Sequence, residues 1–409
     1  MKREQYIPFD KEFLLEQQTA EFISDKNEAG DFKKLFDILE HYFHDEAFNL
    51  IRLLKQNYAV FDPDLNQKER AEYRGKSELA VFKETLLKVL ERGNYRRVDQ
   101  ETLDEAFTKA DLIGLKLAID LDDFNDFELY VRGHHKSREK VSKFYFWKKQ
   151  LEFEYYDRVM IYLNYKDASY FNDKKIDISK LPFDPGCIVL KIFKRVPMND
   201  LETIFPNAVP KMSNTDKLLF WVPAIVGGIS LLSTKVIPSL IAMYAAYKAG
   251  ESIDLGNSKT GLYQGLVALG ILSAYLFRQY NNFVNKKIRY SKMLSDSLYF
   301  KNLGNNSGAF YSLLNSSEEE ELKEVILAYA FLYKSKSPLT SEEVDIQIES
   351  WFKMKLNTDL DFDVEDALEK LKNIGLGIET NGKWKVLPLD KALIRIDEIW
   401  DGIFEYNQK

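Results

Sequence analysis

A single cysteine, Cys187, stands in 409 residues. No internal disulfide can therefore form, and its place in the apolar run Cys187-Ile188-Val189-Leu190 fits a reducing compartment. Positive charge is also in short supply. The 57 Lys plus Arg against 64 Asp plus Glu give a formal net charge of -7, which argues against a chain built to neutralise phosphates and sets nucleic acid aside as a partner. The opening run, Met1-Lys2-Arg3-Glu4-Gln5-Tyr6-Ile7-Pro8-Phe9-Asp10, lacks the apolar core of a secretory signal and the acid-poor, Arg-rich character of a transit peptide, so neither is expected. No GxSxG, P-loop, GxGxxG, HExxH or CxxC pattern occurs. That weighs against the common enzyme classes and implies no cofactor.

Against this polar background, two runs are free of charge. Residues 218–234 and 261–277 each hold seventeen uncharged residues, which at about 1.5 Å per residue approaches a hydrocarbon core of about 30 Å. Phe220 and Trp221 open the first, and Tyr275 and Phe277 close the second, as an aromatic belt would. Lys211 and Lys217 precede the pair, and Arg278, Lys286, Lys287 and Arg289 follow it. The expectation is a two-helix transmembrane hairpin over 216–280 with both termini cytoplasmic, an integral protein of a bacterial inner membrane. Residues 236–247, apolar but preceded by Lys235, are placed at the interface.

Before the hairpin, residues 1–215 read as an α+β domain. Phe32, Leu35, Phe36, Leu39, Phe43, Phe48, Ile51 and Leu54 recur at helical spacing over 31–57, and further helices are expected at 77–92 and 99–110. Strand patterns follow at 115–120, 127–132, 156–165 and 188–193. After the hairpin, residues 281–317 read as a helical linker with a break at 302–308. Residues 318–409 then read as helix, helix, helix, hairpin and helix, an order that looks like a winged-helix fold. Glu318 to Glu321 suit a first helical turn, Thr340 with Glu343 a capping box, and Asn381-Gly382 a type I′ turn. That segment carries 12 Lys plus Arg against 21 Asp plus Glu, so a protein partner is expected there rather than DNA.

Three clusters could carry chemistry. Asp120, Asp122, Asp123 and Asp126 crowd one turn and are hard-cation ligands in principle, a solvated acidic turn being the other reading; with Asp62 and Asp64 of an Asp-Pro-Asp turn they could bind a metal and activate water. His41 and His44, i and i+3 on one helix, could face one metal, although no third ligand is readable beside them. Residues 134–150 carry six Lys or Arg against one Glu. Within them Lys140, Lys143, Phe144, Tyr145, Phe146, Trp147, Lys148 and Lys149 interleave basic and aromatic side chains, which suits a lipid bilayer surface; a hairpin arm packed into the sheet is the other reading.

Tyr6-Ile7-Pro8-Phe9, Phe61-Asp62-Pro63-Asp64, Asp122-Asp123-Phe124, Tyr130-Val131-Arg132-Gly133, Phe193-Lys194-Arg195-Val196-Pro197, Asp200-Leu201-Glu202 with Pro206, and Leu298-Tyr299-Phe300 resemble the transmembrane protein 143 family, also described as domain of unknown function 3754. The resemblance implies a membrane protein with no established reaction. Taken together, these features lead to the expectation of a membrane-tethered scaffold or adaptor that binds lipid and protein. The alternative is a membrane-associated, possibly metal-dependent hydrolase using the aspartates.

Overall fold

The computed structural model describes residues 3–23, 25–99, 101–103, 116–144, 147–181, 183–211, 222, 233, 237–249 and 255–403. The chain divides into two compact units, one of residues 1–103, 121–198 and 301–409, the other of residues 104–120 and 199–300.

The first unit is built along two long helices. The apolar stripe of α2 (Lys26–Tyr58) follows an Asp25 cap that accepts from the Asn27 and Glu28 amides. Its partner, α8 (Ala309–Ser335), is 27 residues long. His44 meets Glu318 and Lys55 meets Tyr311, so the two run antiparallel. At one end they share a core with α1 (Lys11–Phe22), α9 (Ser341–Leu356), α10 (Val364–Ile374) and α11 (Leu389–Gly402). At the other end, Leu54 and Tyr58 of α2 and Phe310 and Leu313 of α8 join Phe82 and Leu86 of α4 (Leu79–Arg92) on one face of a sheet. The short helix α3 (Gln67–Glu72) lies between α2 and α4 in the chain.

That sheet has five strands, all antiparallel: β1 (Arg96–Arg97), β3 (Phe124–Phe144), β4 (Trp147–Tyr165), β5 (Ile188–Pro197) and β7 (Asn302–Asn305), in that spatial order. α5 (Ala168–Asp173) lies in the β4–β5 connection. Strands β3 and β4 stay paired from Phe124↔Tyr165 to Phe144↔Trp147, whereas β5 leaves β4 at Tyr155 and the β1 segment meets β3 only over Leu129, Tyr130 and Val131. Residues 136–154 therefore continue as a two-stranded ribbon beyond the rest of the sheet. The helix breaks at 302–308 as expected, and the break holds a short strand and a 3-10 turn: Asn302, Gly304 and Asn305 pair with β5, and Asn306–Gly308 follow.

The order expected for 318–409 is present, with β8 (Gly377–Thr380) and β9 (Lys383–Val386) as the hairpin. Asn381 and Gly382 both have positive φ, as a type I′ turn requires. The first helix starts at Ala309, not after Ser317, so Glu318 to Glu321 sit within α8 and cannot cap its start.

In the second unit β2 (Lys116–Ala118) pairs with β6 (Val209–Lys211), and the described helices are α6 (Ile237–Ala249) and α7 (Leu255–Lys301). The expected transmembrane hairpin is not supported: among the described residues no helix is long and apolar enough to cross a membrane. Of residues 218–234 only Val222 and Ser233 are described; the others lie outside the described residues. The run 261–277 falls inside α7, where Gly261, Tyr263, Gln264, Gly265 and Gly270 dilute it and Lys259 and Arg278 bracket it. Seventeen residues also reach only about 26 Å. Helix α6, which covers most of the segment placed at the interface, has 13 residues.

Gly133 shows what the first unit's close packing demands. It has φ +69°, and a Cβ there would lie 2.8 Å from Asp157 Cβ and 3.3 Å from the Tyr6 ring. Replacing Gly133 by Ala combines left-handed strain with a steric clash and should cost about 1–3 kcal/mol. A urea titration of the full chain should show this as a lowered midpoint with an unchanged slope.

Candidate functional site

Between the two apolar clusters of the first unit lies a layer of buried charge. On α8 the residues separating Leu314 from Leu322 include Ser316, Ser317, Glu320 and Glu321, and Lys323 and Glu324 follow; all are buried. The charged residues meet partners from other elements or from the next turn. Lys323 Nζ is 2.8 Å from Glu320 Oε1 and donates to the Ile7 carbonyl, while the Ile7 amide donates to Glu320 Oε2 at 3.0 Å. Lys370 of α10 stands 2.9 Å from Glu321 and 2.8 Å from Glu324, and also pairs with Asp366. Arg92 joins Glu46 of α2 at 3.2 Å to Glu321 at 3.6 Å. Asn94 Nδ2 donates to Glu324 Oε1 at 2.9 Å.

Burial pushes the Glu324 carboxyl up, and Lys370 opposes that shift. The carboxylates in turn hold the Lys370 ammonium above its ordinary value against its own desolvation. Arg132 of β3 closes the layer. Its guanidinium lies 4.3 Å from the Tyr6 ring centroid and 5.0 Å from that of Tyr95, and it donates to the Gly93 carbonyl at 3.2 Å.

This layer borders a cleft of about 1240 Å³. One wall is the arm Arg3–Gln5, fixed where Glu4 bridges Leu360 and accepts from the Asp361 amide at 2.9 Å. The opposite wall is the turn after α4 with β1. Gly93 ends α4 and Asn94 takes a left-handed conformation, φ 55°, which redirects the chain into β1. Val131 and Tyr156 also line the cleft. Its charged lining comprises Arg3, Arg96 and Arg97 against Glu4, Glu91, Asp99, Asp361 and Asp363.

The sequence-predicted residues fall elsewhere and serve different contacts. Asp62 is buried and accepts from the Asp64 amide at 3.0 Å, and burial raises its carboxyl. Asp64 accepts from Asn306 Nδ2 at 2.9 Å; Asn306 Oδ1 accepts in turn from Tyr58 and from the Leu190 amide, both at 3.3 Å. These two aspartates thus pin a turn to β5 and to the start of α8. Asp122 and Asp123 lie on a short 3-10 turn before β3, where the Asp123 carbonyl accepts from the Lys166 amide at 3.0 Å and its carboxylate is 4.0 Å from Lys174. The Asp120 carbonyl accepts from Asn207 at 2.8 Å.

His41 Nδ1 lies 2.7 Å from the Asp37 carbonyl with its ring edge-on to Trp400, whereas His44 faces Glu318 at 3.1 Å. Among the described residues no group of three His, Cys, Asp or Glu is placed to hold a metal ion. Cys187 is buried beside Arg70, and burial pushes its thiol up to about 11. Tyr145 and Phe146 lie outside the described residues, as do the side chains of Lys140, Lys143, Phe144, Trp147, Lys148 and Lys149; the backbone of these six belongs to the ribbon.

Sequence reasoning missed the charged layer. One signal was available: the acidic run ending at Glu321 passes without a break into Leu322-Lys323-Glu324-Val325-Ile326-Leu327, placing charges on a helix that is apolar all round. It also missed Glu202, buried in the second unit, whose carboxyl is pushed up to about 7 by burial and then by Asp200.

These observations define an α+β protein with an antiparallel sheet, a buried charge layer and a bordering cleft. Residues 156–308, from β4 to the turn before α8, match a family model described as a protein of unknown function, DUF3754. No solved structure matches the chain.

Two outcomes follow. Lys370→Ala leaves Glu321 and Glu324 buried without their shared cation and should lose about 3–5 kcal/mol of stability, read from chemical denaturation. For Glu202 the folded value of about 7 lies above the ordinary 4.5. Between the two the folded chain holds a proton that the unfolded chain releases, so this group's contribution is full below 4.5 and lost as pH rises through 7. Glu202→Gln should remove that part of the slope, at most about 3 kcal/mol, in denaturation curves taken across the window.

Proposed function

We propose that this chain is a non-catalytic scaffold or adaptor that rests a basic β-ribbon on anionic lipid headgroups and docks a protein partner with help from residues 318–409. One observation carries the reading: β3 and β4 remain paired to Phe144↔Trp147, well past the last partners of both strands. A two-stranded ribbon that leaves its sheet has no further strand paired on either edge. The ribbon supplies six Lys or Arg against three Glu, and around its turn residues 140–149 hold Lys140, Lys143, Lys148 and Lys149 with no acid beside Phe144-Tyr145-Phe146-Trp147. Basic side chains near an anionic surface contribute about 1 kcal/mol each, and aromatic rings favour the headgroup level.

The element order of 318–409 supports a winged-helix-like module, and its excess of carboxylates suits a protein partner better than DNA. The likeness to the transmembrane protein 143 family belongs to the same reading. No observation among the described residues favours the hydrolase alternative: Asp62, Asp64 and Asp123 serve separate structural contacts, and no three ligands are placed together.

The test is co-sedimentation of the full chain with vesicles containing phosphatidylserine and, separately, with phosphatidylcholine alone. Reversing Lys143, Lys148 and Lys149 to Glu should weaken binding to the anionic vesicles by about a hundredfold or more. Unchanged binding would remove the lipid surface from the reading.

A further inference from the structure

Strand β1 is an edge of the five-stranded sheet, and it lines the cleft. Its pairing parity decides what it offers there. The Val98 amide donates to the Leu129 carbonyl at 2.8 Å, and Arg96 and Arg97 stand opposite Val131 and Tyr130. In an antiparallel ladder this puts Arg97 at the position that exchanges no hydrogen bonds with its opposite residue. The Arg97 amide and carbonyl therefore point away from β3, outward along the free edge. Its side chain leaves the cleft's balance to others, since it reaches Glu128 at 3.2 Å.

The lining charges select the occupant. Five carboxylates stand against three arginines. Arg3 is already held by Glu349 and Asp361, and Arg96 by Glu4. Glu91, Asp99 and Asp363 are the carboxylates beyond those pairs; Asp99 is held below the ordinary range by the Thr102 amide, and so stays ionised. An acidic cleft with an outward backbone donor and acceptor on one wall fits an extended, basic chain.

We propose that this cleft binds an extended Lys- or Arg-rich segment of a partner protein, which adds as a strand beside β1 through the Arg97 amide and carbonyl and places its cations among Glu91, Asp99 and Asp363. The site is separate from the ribbon and deepens the partner-docking half of the reading above. Its test uses soluble peptide without lipid, so its failure leaves the vesicle result standing.

The probe is a fluorescein-labelled peptide of alternating lysine and valine, followed by fluorescence anisotropy with the full chain. Proline at position 97 removes only an amide that β3 does not use, so the sheet should persist by circular dichroism. Arg97→Pro should bind the probe about tenfold or more weakly than Arg97→Ala, which lacks the same side chain but keeps the amide. Equal binding by the two variants would overturn strand addition. If Arg97→Pro fails to fold, the same comparison is made on the wild-type chain with a probe N-methylated at alternate residues: a tenfold loss supports strand addition, and equal affinity overturns it. A probe with glutamate in place of lysine should bind at least tenfold more weakly, and equal binding would overturn the basic class of partner.

Discussion

The first unit depends on how α8 carries charge through its own core. Removing a carboxylate or ammonium from water costs several kcal/mol, and the mutual attraction of a pair offsets this only with good geometry and further hydrogen bonds. Here Glu320, Glu321 and Glu324 are matched by Lys323, Lys370 and Arg92, with the Ile7 backbone and Asn94 filling remaining positions. The pairs come from the arm, α4, α10 and α8 itself. An axial slip of α8 would strand a buried carboxylate away from its cation, so the layer fixes the register of elements whose apolar faces alone would tolerate several.

Much of the local structure was legible because its causes are local. The helical spacing of Phe32, Leu35, Phe36 and Leu39 marks α2, and all four are buried. Thr340 and Glu343 make the capping box, and Asn381-Gly382 makes the hairpin turn. What failed did so where meaning depends on distant neighbours. The carboxylates at 318–321 suit a helix start in isolation; Lys323 on the same helix lets Glu320 be buried mid-helix, and cations from α4 and α10 do so for Glu321. An uncharged run at 261–277 resembles a span until its glycines, Tyr263 and Gln264 are weighed. Asp62 and Asp123 resemble ligands, yet one caps a turn and the other faces Lys174. The cleft required several segments far apart in the chain to be brought together, which no spacing rule reports.

The short motifs scattered along the chain acquire a common sense in three dimensions. Tyr6 lies under Arg132, and Gly133 gives that ring room. Phe61 accepts the Ile188 amide through its carbonyl, and Asp64 holds Asn306. These residues are joints between segments far apart in sequence. Each demands a particular side chain or backbone freedom in a small space, so the motifs are brief and the intervening sequence is unconstrained by them.

The antiparallel pairing of α2 with α8 also bears on how the chain is made. Helix α2 ends at Tyr58, and the helix that covers both its apolar stretches begins only at Ala309. At about 5–20 residues per second, the ribosome needs on the order of 10–50 s to bridge that gap. During this time Phe32, Leu35, Phe36 and Leu54 have no native cover from α8. The nascent chain thus passes most of its synthesis without α8's cover on this stripe, and a product ending before α8 would lack that cover permanently.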